Sequence, residues 1–203
     1  MVAPVRQRQA DRSRETRRKL MQATVDCLVE RGWAGTTTVV VAERAGVSRG
    51  AQLHHFRTRG ELVAAAVEFV GAESVQDMVR RAEALDQTRD RTAAVVEFIA
   101  EFFASTLFTA ALELWVAART DPELHELVVP LEARLGRECH RIAVGLLGAD
   151  ERRPGVRAAV QATLDLARGL ALANQLTDDS RRRRRILRQW SAMLDDVLRA
   201  EES

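Results

Sequence analysis

Between Ser48 and His55 the chain sets out a hydroxyl, a guanidinium, a carboxamide and two imidazoles, on Ser48, Arg49, Gln52, His54 and His55. These groups donate and accept hydrogen bonds. Their chemistry suits base edges and phosphate oxygens better than bond cleavage. Adjacent helical residues point about 100° apart, so His54 and His55 are poorly placed to share one metal ion. Cys139 and His140 fail as a nucleophile and base for the same reason, and no third ligand or orienting carboxylate falls at a recognisable spacing. There is no Gly-rich phosphate loop and no Ser in an elbow context. The expectation is binding without catalysis, metal or cofactor.

The elements that must position these donors are written around them. Thr37 or Thr38 is placed to cap a helix running to Ala45. Gly46 supplies the turn at little backbone cost, and Ser48 caps a second helix from Arg49 to His55. Two short helices joined through a Gly have the wiring of a helix-turn-helix. The second is too short and polar to be stable alone, so Val41, Val47, Leu53 and Phe56 are expected to brace it. A first helix from about Ser13 to Arg31 carries Leu20, Thr24, Cys27 and Leu28 at helical spacing, and Gly32 stops it. Trp33 is expected to cap this small core.

Charge supports the same reading. The 203 residues carry a formal net charge of only +2. Residues 1–60 hold twelve basic and five acidic side chains, +7, which leaves the remainder at −5. A basic head on an acidic body is the footprint of a module that meets phosphates. Residues 1–13, with Arg6, Arg8, Arg12 and Pro4, read as a flexible basic arm. Hydrophobic residues make up 46%, enough for a core. No apolar run is long enough to span a bilayer, so a cytoplasmic protein without membrane contact is expected.

Beyond the head, the pattern is helical throughout. A helix is expected from Glu61 to about Ala84, then a polar break at Arg89–Arg91. Thr92–Thr109 is rich in Phe, and Ala110–Arg119 follows with Trp115. Asp121-Pro122 reads as a cap and first turn for a helix ending near Leu147 and Gly148. Pro154 opens the last part, which holds helices over Val156–Thr177 and about Ser180–Ala200. The final one shows Ile186, Leu187, Trp190, Met193, Leu194, Val197 and Leu198 at spacings of three and four. The preceding helix offers Leu164, Ala167, Leu170, Ala171 and Asn174. The arginine run 181–185 reads as an exposed helix start, with a DNA patch as the alternative.

The run Ala42-Glu43-Arg44-Ala45-Gly46-Val47-Ser48-Arg49-Gly50, then His54-His55-Phe56, Arg59 and Leu62, resembles the DNA-binding domain of TetR/AcrR-type transcriptional regulators. The resemblance covers about the first third of the chain. It implies an all-α protein with a three-helix head at residues 14–60 on a larger ligand-binding and dimerisation body at 61–203. It also implies a homodimer on a near-palindromic double-stranded operator, released by a small hydrophobic inducer.

The contacts that follow are Thr37, Thr38 and Ser48 to backbone phosphates, Arg49, Gln52 and His55 to bases, and His54 and Arg59 as phosphate anchors. The inducer pocket falls on Phe98, Phe102, Leu112, Glu113, Trp115 and His125, and the dimer interface on Leu164, Leu170, Ile186, Trp190, Met193, Leu194 and Val197. The sequence departs from the family at Val39 and Val40, which stand at usually polar positions. It departs again at Ala51 and Leu53, where Thr and Tyr are common, and at Gln52, where an inward apolar residue is usual. Two other functions compete with a ligand-responsive repressor: an architectural DNA-binder that ignores ligands, and a helical carrier or enzyme.

Overall fold

The computed structural model describes residues 3–83 and 91–200, and among them every regular element is an α-helix. The expected polar break at Arg89–Arg91 lies outside these residues except for Arg91. The helices are α1 (Ala3–Gly35), α2 (Thr38–Ala45), α3 (Arg49–His55), α4 (Arg59–Glu83), α5 (Arg91–Phe103), α6 (Thr106–Ala118), α7 (Pro122–Leu147), α8 (Val156–Ala173) and α9 (Ser180–Arg199). The all-α expectation is met. α1 takes in most of the segment expected as an arm, and its path turns at Gly32, where φ is 63° and ψ −177°.

Two compact units divide the chain. One contains Met1–Glu73 and Thr109–Ala133, the other Ser74–Phe108 and Arg134–Ser203. The expected divisions were 1–13, 14–60 and 61–203; the boundaries of the compact units fall inside α4, α6 and α7.

In the first unit α1 packs on α2 and α3, with Leu20, Cys27, Leu28, Val41 and Phe56 buried. Local chemistry sets the boundaries. The Thr37 hydroxyl accepts the Val40 N–H at 3.2 Å, and the Ser48 hydroxyl accepts the Ala51 N–H at 3.2 Å. Gly46 takes the left-handed conformation at φ 63° and ψ 35°, and the Val47 N–H reaches the Ala42 carbonyl at 2.9 Å. Thr58 and Glu61 form a capping box at the start of α4: Thr58 Oγ1 accepts the Glu61 N–H at 3.1 Å, and Glu61 accepts the Thr58 N–H at 3.3 Å. The Leu124 N–H donates to Asp121 Oδ1 at 3.0 Å, the expected cap of α7.

In the second unit α5 packs against α8 and α9. Val95, Ile99, Phe103, Val156, Val160, Ala167, Leu187 and Leu194 are buried. Phe98 joins Val75 and Ile142 in a cluster flanked by Phe102 and Leu146. The Phe-rich stretch breaks earlier than expected, at residues 104–105, where Ala104 and Ser105 N–H groups close turns onto Ala100, Glu101 and Phe102 carbonyls.

Candidate nucleic-acid interface

The recognition segment separates its side chains cleanly by face. Arg49, Leu53 and His54 are exposed, whereas Gln52 is 1% exposed and Phe56 is buried. Leu53, expected to brace the helix, is instead 47% exposed. Gln52, expected to read bases, points inward, and its Nε2 donates to the Phe56 carbonyl at 2.9 Å. Gln52 accepts the Phe56 N–H through its own backbone carbonyl at 2.9 Å. A carboxamide thus replaces an inward apolar side chain and closes the C-terminal end of α3, so that a buried carbonyl is paired. The outward face that remains is Arg49, Gly50, Leu53 and His54.

His55 is half-buried, its ring 5.3 Å from that of His54 in an edge arrangement. Burial lowers its pKa below the ordinary histidine value, and the nearby His54 and Arg17 charges add to that. His55 is therefore largely neutral at pH 7. Arg17, which no spacing argument singled out, is exposed on α1 and lies over the Phe56 ring, 5.3 Å from its centroid. Thr38 is half-buried, while Thr37 and Ser48 are exposed but spend a hydroxyl lone pair on their caps.

Arg59, expected as a phosphate anchor, is packed against Trp33. Its guanidinium carbon stacks 3.6 Å from the Trp33 ring centroid, and Nη2 donates to the Trp33 carbonyl. Burial lowers its pKa, offset in part by the Asp121 carboxylate. Arg59 is a bracket on the turn between α1 and α2. Glu113 completes that bracket: its Oε2 accepts the Trp33 N–H at 3.1 Å and would stand 2.8 Å from a Cβ at position 32. Glycine at 32 suits the positive φ, and a Cβ there would displace the Glu113 carboxylate from the Trp33 N–H. Glu113, expected as a ligand anchor, is thus engaged in holding the turn. Arg44 ties α2 to α1 by pairing with Glu30 through both terminal nitrogens, at 2.5 and 2.7 Å.

The remaining expected pocket residues fall in both units. Phe98 and Phe102 belong to the second unit, in the cluster with Ile142. Leu112, Trp115 and His125 belong to the first, the first two half-buried and His125 exposed on α7. An exposed imidazole does not line an enclosed pocket within this chain.

The expected dimer residues divide in two. Leu164, Leu170 and Leu194 are buried within the second unit, Leu194 at 1% exposure. Trp190 is half-buried and its Nε1 donates to Thr163 Oγ1 at 2.9 Å, joining α9 to α8. Ile186 is half-buried, while Met193 at 51% and Val197 at 36% face outward. Leu172 on α8 is exposed beside them in kind.

The family profile described as "Bacterial regulatory proteins, tetR family" matches residues 20–66. The chain is 39% identical over 125 residues to the HTH-type transcriptional regulator CymR of Pseudomonas putida, covering 62% of each chain. It is 31% identical over 142 residues to the uncharacterized HTH-type transcriptional regulator Mb2936c of Mycobacterium bovis, covering 70% of this chain and 73% of that one. Among solved structures, it is similar to the transcriptional regulator FadR from Bacillus subtilis in complex with stearoyl-CoA, with a TM-score of 0.60, 15% identity and coverage of 91% and 98%. Among the described residues, no single helix is long and apolar enough to cross a membrane.

Proposed function

This chain belongs to the TetR family of bacterial regulatory proteins and is a DNA-binding transcriptional regulator; from that premise we propose that it acts as a homodimeric repressor, released from its operator by a small, mostly apolar molecule. The observation that carries the reading is the outward face of α3. Arg49 and His54 offer donors there, and Leu53 offers an apolar surface suited to the methyl group of thymine. Thr37, Thr38 and Ser48 lie at helix starts, where backbone amides meet phosphates. His55 and Arg17 flank the base-reading group. Gln52 and Arg59 hold the helix and the preceding turn rather than touching DNA.

Dimerisation is assigned to the outward apolar faces of α8 and α9, centred on Met193, Val197, Leu172 and Ile186. Exposed apolar side chains on paired helices favour association. A two-fold dimer sets two short recognition helices about one helical turn of DNA apart, which multiplies affinity and gives the near-palindromic operator. The relatives are regulators rather than enzymes, and this one would work in the cytoplasm alongside its DNA. FadR is similar in fold and carries stearoyl-CoA, which supports ligand control here. Phe98 and Phe102 are the residues proposed to meet the inducer. A ligand shifts the equilibrium only as far as it prefers one head spacing over the other.

The test is selection of bound sequences from random duplex DNA with the full chain, followed by a screen for compounds that release them. Recovery of a two-fold related sequence supports the reading. Recovery of no preferred sequence points to an architectural DNA-binder.

A further inference from the structure

The arginine run at the start of α9 is not used by the reading above. At about 100° per residue, Arg181, Arg184, Arg185 and Arg188 fall on one edge of the helix, roughly opposite the apolar stripe of Ile186, Met193 and Val197. All four are exposed, and among the described residues none of them makes an ion pair. Arginines elsewhere are commonly matched, as in Arg44 with Glu30, Arg152 with Asp150, Arg182 with Asp179 and Arg199 with Asp195. Like charges three and four residues apart repel, and the Asp178 carboxylate attracts Arg184 without forming an ion pair with it.

A cleft of about 360 Å³ opens along this edge between α5 and α9, lined by Ala93, Glu97, Arg184, Leu187, Arg188 and Ser191. Its volume lies at the small end of the range for ligand sites. Arg184 and Arg188 stand one turn apart, at a spacing that suits neighbouring phosphate groups, and guanidinium binds phosphate oxygens in pairs. Leu187 and Ala93 give an apolar ledge. The Ser191 hydroxyl donates to the Leu187 carbonyl at 2.6 Å, which leaves its oxygen able to accept. The nearby Asp195 is already occupied by the Thr92 hydroxyl at 2.7 Å and by Arg199 at 2.9 Å. Glu97 sets a negative charge at the cleft wall, which opposes an anion there and must be outweighed by the two arginines.

We propose that the α5–α9 cleft is a second small-molecule site, which takes a diphosphate-bearing ligand through Arg184 and Arg188. Dimerisation through the opposite face of α9 leaves the cleft open. The experiment is calorimetric titration of the full chain with sodium pyrophosphate at constant ionic strength. Wild type is expected to bind, and Arg184→Gln with Arg188→Gln to bind at least about tenfold more weakly. Arg49→Gln, on the recognition helix, should bind as wild type, while Glu97→Gln should bind more tightly.

The proposal is overturned if wild type binds no pyrophosphate, if the double variant binds as well as wild type, or if Arg49→Gln alone abolishes binding. A short duplex of arbitrary sequence is the other arm. If the double variant weakens duplex binding while pyrophosphate never binds, the edge is a nucleic-acid contact and the small-molecule site is refuted. Both arginines are exposed, so helicity should survive. If it does not, Glu97→Gln decides alone: tighter binding supports the site and unchanged affinity overturns it. None of these failures bears on DNA reading by α3.

Discussion

The recognition head and the α8–α9 pair solve opposite problems with similar-looking sequence. In the head, polar side chains that look available for DNA are consumed by the fold. Gln52 closes α3, Arg59 brackets Trp33, and Thr37 and Ser48 cap their helices. In α8–α9, apolar side chains that look like one stripe are divided. Leu187 and Leu194 go inward, while Met193 and Val197 stay out. Residue type names the chemistry available to a surface; burial decides which members of a set remain to use it.

The largest effect that tests this comparison lies in α9. Leu194→Ala should lower stability by about 2–5 kcal/mol in urea unfolding, because it empties a packed site. Leu194→Asp should therefore unfold the chain rather than release a folded monomer. Met193→Asp with Val197→Asp should retain helicity and run as a monomer in light scattering. A Leu194→Ala protein of unchanged stability, or a fully dimeric Met193/Val197 variant, would break the division into inward and outward faces.

In the head, Gln52→Ala should cost about 1–3 kcal/mol, since the buried Phe56 carbonyl loses its donor. Operator affinity of the folded fraction should not change. A loss of affinity without loss of stability would return Gln52 to the DNA surface. Arg59→Ala should cost roughly 1–2 kcal/mol from the lost Trp33 stacking. Its dependence of DNA affinity on salt should match wild type, whereas loss of a phosphate contact would reduce the slope of log affinity against log salt by about 1.

The smallest effect is the pH response of His55. Its folded pKa lies below the unfolded one, so the folded state binds fewer protons as pH falls past about 6.5. The stabilising contribution is full above that pH and is lost as pH falls toward the folded pKa. His55→Gln should flatten the stability profile between neutral and mildly acidic pH. A variant with the same slope as wild type would place the titration elsewhere.

Much of the head was legible because its punctuation is local. Gly46, Ser48, Thr37 and Asp121 act within one turn of themselves, so residue type and spacing suffice. The capping box of Thr58 and Glu61 was equally visible in principle as a Thr followed three residues later by Glu. The inward turn of Gln52 was not, because it depends on the depth of the Phe56 carbonyl rather than on side-chain polarity. The break at residues 104–105 carries neither Gly nor Pro, so no residue type announces it. On α9 the apolar stripe is wider than one interface, so periodicity locates it without dividing core from surface. Glu113 and Trp33 are eighty residues apart, and no spacing rule joins them.

The most direct test of the account is operator affinity of Arg49→Ala combined with Leu53→Ala, measured by fluorescence anisotropy on a duplex selected by the wild type. Both side chains face outward, so melting temperature and dimer mass should stay as in wild type. Affinity should fall, by about 1–3 kcal/mol from the loss of Arg49 alone. A folded, dimeric double variant that binds the same duplex as tightly as wild type would contradict the assignment of α3's outward face to DNA.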